Sequence, residues 1–128
     1  MNTEARRLME KADHALAVAD DLIKNGYPAD AASKLYYAMF YAAQAVLKSS
    51  GIEVTKHSAV EAALGYNFAK TGKISPELHR MYIDSRRIRE IADYDIQEEI
   101  ADQVAIALRA KAITFIDAMR ALLNDIDE

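Results

Sequence analysis

Apolar residues recur along this chain every three or four positions, with polar residues filling the gaps. That spacing puts them on one face of an α-helix, whose period is about 3.6 residues. Leu8, Ala12, Ala15, Ala19 and Leu22 form one such stripe. Ile100, Val104, Ala107, Lys111, Ala118 and Leu122 form a looser one, broadened by Leu108, Phe115 and Met119. No segment alternates apolar and polar residues in the manner of a strand. Gly26, Gly51 and Gly72 stand where stripes end, each shortly after a lysine. Glycine adopts the left-handed conformation that stops a helix, and a lysine suits the helix's negative end. Pro28 and Pro76 open the next segments, and Ser58/Glu61 and Asp95/Glu98 have capping-box spacing. The expected elements are helices over 3–25, 28–50, 57–71, 75–92 and 96–124. Short connections between them predict an all-α, up-and-down bundle of about five helices, one domain over 1–128.

The second helix breaks the amphipathic rule. Its centre, AASKLYYAMFYAAQAVL (31–47), is apolar nearly all round. Leu35, Met39, Ala42 and Val46 make one face; Tyr36, Phe40, Ala43 and Leu47 make a second. Tyr37, Tyr41 and Gln44 make a third, more polar one. Such a helix is buried on every side: either it is central, or a second subunit covers it. The expectation is a homodimer, with Tyr37, Tyr41 and Gln44 lining an interface or cleft. The plainer alternative packs the tyrosines in the core with their hydroxyls at its edge.

Composition narrows the chemistry. At 128 residues the chain is long enough for one good core. Cysteine is absent, which removes disulfides, thiol catalysis and thiolate metal sites. No uncharged apolar run is long enough to span a bilayer, and charges throughout the first twenty residues leave no signal-peptide pattern. The expected setting is cytoplasmic, away from membranes. A net charge of −4 argues against nucleic-acid binding by the whole surface. The charge is uneven, however. From Tyr66 to Ile91 six basic residues face three acidic ones, and from Ala92 to Asp102 there are five acids and no base.

The boundary between those regions reads SRRIREIADYD (85–95). On a helix Tyr82, Arg86, Arg89 and Asp93 share one face, extended by His79. Leu78, Met81, Ile88 and Ala92 lie on the opposite side, the expected core side, and Arg87 points to solvent. Arg86 and Arg89 together suit a phosphate, because a planar guanidinium binds oxyanions bidentately. Arg86–Glu90 and Arg89–Asp93 are equally at the spacing of ordinary i, i+4 ion pairs. Lys56 and His57 stand at a helix start, where backbone N–H groups favour anions. A solvated lysine beside a capping-region histidine is the simpler account of that pair. Histidines at 14, 57 and 79 are too scattered for a metal pair, and no glycine-rich phosphate loop is present. No metal and no cofactor is expected.

The strings KLYYAMFYAAQAVLKSSGI, KHSAVEAALGYNFAKTGKISPEL and RRIREIADYD closely resemble the HEPN domain in its small stand-alone prokaryotic form. The resemblance implies a helical bundle, commonly a homodimer, often encoded beside a minimal nucleotidyltransferase. Many HEPN proteins are metal-independent ribonucleases, including toxins of toxin–antitoxin pairs. Their signature is an arginine and a histidine with four to six residues between them. Here that arginine aligns with Arg89, and the histidine's place is taken by Tyr94, Asp95 and Ile96. Arg7 and His14 satisfy the bare spacing, but on the first helix, the wrong element. The string Arg89, Ala92, Asp93, Tyr94 follows the stand-alone branch, whereas Tyr41 stands where that branch often has histidine. The resulting expectation is a binding or accessory partner of a minimal nucleotidyltransferase, or of nucleotide or RNA. Arg86 and Arg89 would hold phosphate or a partner carboxylate, with Asp93 and Tyr94 orienting them. The alternative is a toxin-type ribonuclease using Arg89 with an unusual partner such as Tyr94.

Overall fold

Asn2 accepts a hydrogen bond from the Ala5 amide at 2.7 Å and so starts the first helix, α1 (Thr3–Lys24). The computed structural model describes residues 2–126. After α1 come α2 (Pro28–Ser49), α3 (His57–Leu64), α4 (Pro76–Tyr94) and α5 (Asp102–Ile126). Among the described residues there is no strand, and no helix is long and apolar enough to cross a membrane. The three glycines at the expected stops have φ of 86°, 78° and 80°, the left-handed backbone that ends α1, α2 and the segment after α3.

The apolar surround of α2 has an explanation within one chain. α2 touches α1, α3, α4 and α5, and Leu35, Tyr36, Met39, Ala42, Val46 and Leu47 are all buried. It is the central helix, so its composition no longer argues for a second subunit. α1 lies along it through small residues, Ala5, Ala12, Ala15 and Ala19 on α1 and Ala38, Ala42 and Ala45 on α2. Two ion pairs tie α1 to α5, Asp20 with Arg109 and Asp13 with Arg120 at 2.7 Å. Numbers rise on α1 as they fall on α5, so these helices are antiparallel.

Four expectations need correction. α5 begins at Asp102, not at 96, and α4 runs on to Tyr94. Asp95 does cap amides, accepting from Gln97 and Glu98 at 2.9 and 2.8 Å. That local turn competes with helix instead of opening one, and the chain stays irregular until Asp102. Ser58 is not a cap either: Lys56 is the residue before α3, and Ser58 lies inside it. On α5 Leu108, Phe115 and Met119, expected to broaden the stripe, are its centre. Ala105, Leu108, Ala112, Phe115, Ile116, Met119 and Leu123 are buried, while Val104 is exposed.

The fourth correction concerns α4. Its most buried side chains are Tyr82, Ser85 and Arg89, the face expected to point outward. Leu78, Met81, Ile88 and Ala92 pack only partly against the core. Tyr82 decides the orientation. Its ring stacks on Tyr36 at 5.9 Å and on Phe115 at 5.5 Å, nearly parallel to both. Burying so large a ring outweighs burying smaller flanking side chains. Ser85 tolerates burial because its hydroxyl donates to the Tyr82 carbonyl at 2.6 Å.

α3 continues into a wider turn at Gly65–Ala69, where the Lys70 amide donates to the Gly65 carbonyl five residues back at 2.8 Å. A Cβ on Gly65 would stand 2.8 Å from Cε1 of His79, so the α4 histidine occupies the space a side chain would fill. His79 Nε2 lies 3.1 Å from the Glu61 carbonyl oxygen. This contact seats α3 on α4 and, with it, positions the start of α3 beside the arginine of α4.

Candidate functional site

The floor of the site is a row of rings on α2. Tyr36 and Tyr37 meet edge to face at 5.3 Å, and Phe40 lies one turn on, 6.2 Å from Tyr36. Arg89 reaches this row from α4. Its guanidinium carbon is 4.9 Å from the Tyr36 ring centre and 5.8 Å from that of Tyr37, and Tyr94 approaches to 5.7 Å. Three π faces around one cation make a cage that favours its charge. Burial works against that charge, and the phenols of Tyr37, Tyr36 and Tyr94 more than offset it, so the Arg89 pKa is raised.

Arg89 is 9% exposed, yet its hydrogen bonding is incomplete. Nη1 reaches the Tyr94 hydroxyl at 3.5 Å and an Asp93 oxygen at 3.7 Å, both long. The same Asp93 oxygen also accepts from Ser33 Oγ at 3.2 Å. Nε is buried with no partner at all among the described residues. A guanidinium whose terminal nitrogen has only long contacts can still accept a closer oxyanion partner.

His57 stands against the same rings. Its imidazole is 4.4 Å from Phe40, 5.5 Å from Tyr37 and 5.6 Å from Tyr36, centre to centre. Its pKa is lowered, first by desolvation and then by the positive Arg89, so the neutral form is favoured. Arg89 and His57 are far apart in sequence and share Tyr36 and Tyr37 as neighbours. No spacing rule could pair them. The available signal was the crowding of aromatic residues on α2, which demands flat partners from elsewhere.

The other expected residues divide. Arg86 does not join Arg89 in a clamp: its Nε donates to Glu61 at 2.8 Å and its Nη1 to Glu90 at 3.1 Å, which ties α4 to α3. Tyr82 is wholly buried in the core, its hydroxyl near that of Tyr36 without a well-formed hydrogen bond among the described residues, and it lies beneath the site. Burial pushes its phenol pKa far up. Lys56 is exposed where its neighbour His57 turns inward. Gln44 donates to the Val54 carbonyl at 3.5 Å, a tie to the loop after α2. Arg87 is exposed, as its position on the helix suggests.

Tyr37 and Tyr41 also line a groove of about 670 Å³ between α1 and α2. Among the described residues no three histidine or acidic side chains converge as a metal site.

Known proteins match this chain over nearly its whole length. The HEPN domain family model matches residues 5–125. A UPF0332 protein of Thermotoga maritima is 34% identical over 91% of this chain and 88% of its own length. A protein of Methanocaldococcus jannaschii named "Putative toxin MJ0142" is 32% identical over 94% of this chain and 82% of its own.

Proposed function

Because this chain belongs to the HEPN family, we propose that it is the HEPN partner of a minimal nucleotidyltransferase, with Arg89 holding a phosphate of RNA or nucleotide. The observation that carries this reading is the caged Arg89, whose Nη1 is held only by long contacts to Tyr94 and Asp93. A phosphate oxygen is a better acceptor for that terminal nitrogen than either, and the exposed Tyr94 and half-buried Tyr37 offer faces on which a base stacks. Asp93 and Tyr94 orient the guanidinium through their long contacts to Nη1. The relative named as a toxin supports a toxin–antitoxin-like setting. The test is co-expression with a nucleotidyltransferase encoded beside the gene. Co-purification of the two, with RNA left uncut by the pure HEPN protein, is the expected result; no association overturns the partner role.

One observation favours a second reading, a metal-independent ribonuclease. His57, neutral and beside Arg89, is a general base in the vicinity of a phosphate-binding cation. It would take the proton of a ribose 2′-hydroxyl, whose oxygen then attacks the adjacent phosphorus. The 5′-oxygen leaves and takes a proton from water, giving a 2′,3′-cyclic phosphate and a 5′-hydroxyl, and His57 returns its proton to solvent. RNA cleavage by the pure protein that yields these ends, and that both Arg89→Gln and His57→Gln abolish, would establish this reading over the first.

A further inference from the structure

The groove between α1 and α2 has a composition unlike the rest of this acidic surface. Arg7, Lys11 and His14 follow one another on α1, and Lys34, Tyr37 and Tyr41 face them from α2. Glu10 is the one acid in its lining. Arg7, Lys11 and Lys34 are exposed and make no salt bridge with any described residue. On neighbouring surfaces Arg86, Arg109 and Arg120 are each held by a carboxylate. Lys11 Nζ lies 5.0 Å above the Tyr41 ring, so a cation and a π face are already presented together.

From Arg7 to His14 the helix advances roughly 10 Å, so the cations form a line rather than a point. A line of cations opposite two half-buried tyrosines is the pattern that binds a single strand, cations tracking phosphates and rings taking bases. A single phosphate would need only one pole of it. Tyr37 joins the groove to the arginine site, for its ring lines the groove and also faces Arg89 and His57.

We infer that the α1/α2 groove binds a single-stranded oligonucleotide and leads it across Tyr37 to Arg89. The inference rests on the reading of Arg89 as the phosphate holder and names that site's ligand as a strand rather than a free nucleotide. Duplex is a poorer fit, because stacking on Tyr37 and Tyr41 requires bases whose faces are free.

The test is fluorescence anisotropy with a labelled short oligouridylate, the matching oligothymidylate, and a duplex of the same length. The expected result is tighter binding of single strand than of duplex. Whichever of the two single strands binds more tightly identifies the natural one as RNA or DNA. The triple variant Arg7→Gln, Lys11→Gln, Lys34→Gln should bind about tenfold or more weakly. Its slope of log affinity against log salt should be shallower by about 2, at about 0.7 for each lost phosphate contact. Tyr41→Leu should weaken binding about fivefold with the slope unchanged. If the triple variant binds like wild type while Arg89→Gln does not, the groove inference falls and the Arg89 reading stands. If the triple variant loses binding and Arg89→Gln keeps it, the strand site stands and the Arg89 reading falls. Equal affinity for duplex overturns the inference. So does a triple variant that dissociates a dimer and leaves oligonucleotide binding unchanged, for the groove is then a subunit interface.

Discussion

The Arg89 guanidinium carbon lies 4.9 Å from the centre of the Tyr36 ring, and Tyr36 itself is 1% exposed. The candidate binding site is therefore laid directly on the core, with one aromatic ring serving both. Arg89 is a cation that the fold holds in place without completing its hydrogen bonds.

That position makes Arg89→Met nearly neutral for stability. The variant loses cation–π attraction of up to about 2 kcal/mol. It also removes a buried donor without a partner, which itself costs about 1–3 kcal/mol. The net change in urea unfolding should stay within about 1 kcal/mol, while oligonucleotide binding is lost. A loss of stability well beyond that, with binding retained, would make Arg89 a purely structural residue.

Tyr82→Phe should leave stability unchanged or raise it by about 1 kcal/mol. The ring keeps its stacking on Tyr36 and Phe115, and the only atom removed is a buried hydroxyl oxygen that lies near the Tyr36 hydroxyl without a well-formed hydrogen bond among the described residues. Thermal unfolding of the pair measures this directly, and a marked drop in Tm would reveal a partner for the hydroxyl.

Gly65→Ala should destabilise by about 1–3 kcal/mol. The new Cβ meets His79 at 2.8 Å, and the contact of that ring with the Glu61 carbonyl limits its retreat. In a double-mutant cycle with His79→Ala the two changes should be far from additive, since the second removes the obstacle to the first. Additive losses would place the cost in the backbone of the turn instead.

The His57 environment sets a pH dependence. Desolvation against Tyr36, Tyr37 and Phe40 of α2, and the charge of Arg89 on α4, lower its pKa in the folded state. The unfolded chain, with a value near about 6.5, then binds more protons as the pH falls. The stability held by neutral His57 is complete above that value and is lost as the pH falls through the folded pKa. Tm should decline from about pH 6.5 downward, and His57→Phe should flatten that decline. Parallel curves for the two proteins would remove His57 as the cause.

The parts of the fold that local chemistry controls could be read from the chain alone. Gly26, Gly51 and Gly72 follow the ends of helical stripes, where glycine takes left-handed backbone at no cost, and the helix ends follow from them. The orientation of α4 could not be read this way. Helical periodicity groups Tyr82 with Arg86 and Arg89, but only Tyr36 and Phe115, on two other helices, determine that this group faces inward. The start of α5 is not legible, because Asp95 has the same hydrogen-bonding capacity in a turn as in a cap. At the site, Arg89 stood out by its place among arginines. Arg86 is equivalent to it by periodicity, and only Glu61, from α3, distinguishes the two by occupying Arg86. His57 marks a helix start in the sequence, and its actual neighbours are set by the packing of α3 on α4 through Gly65 and His79.

The central position of α2 limits how this protein can diverge. Tyr36 cannot change without disturbing the hub that every other helix rests on. Ligand preference must therefore vary through the walls: the exposed row Arg7, Lys11 and His14, the residue at 34, and Tyr94 at 73% exposure beside an irregular acidic segment. Members with the same floor and different walls would be expected to accept different strands on one unchanging platform.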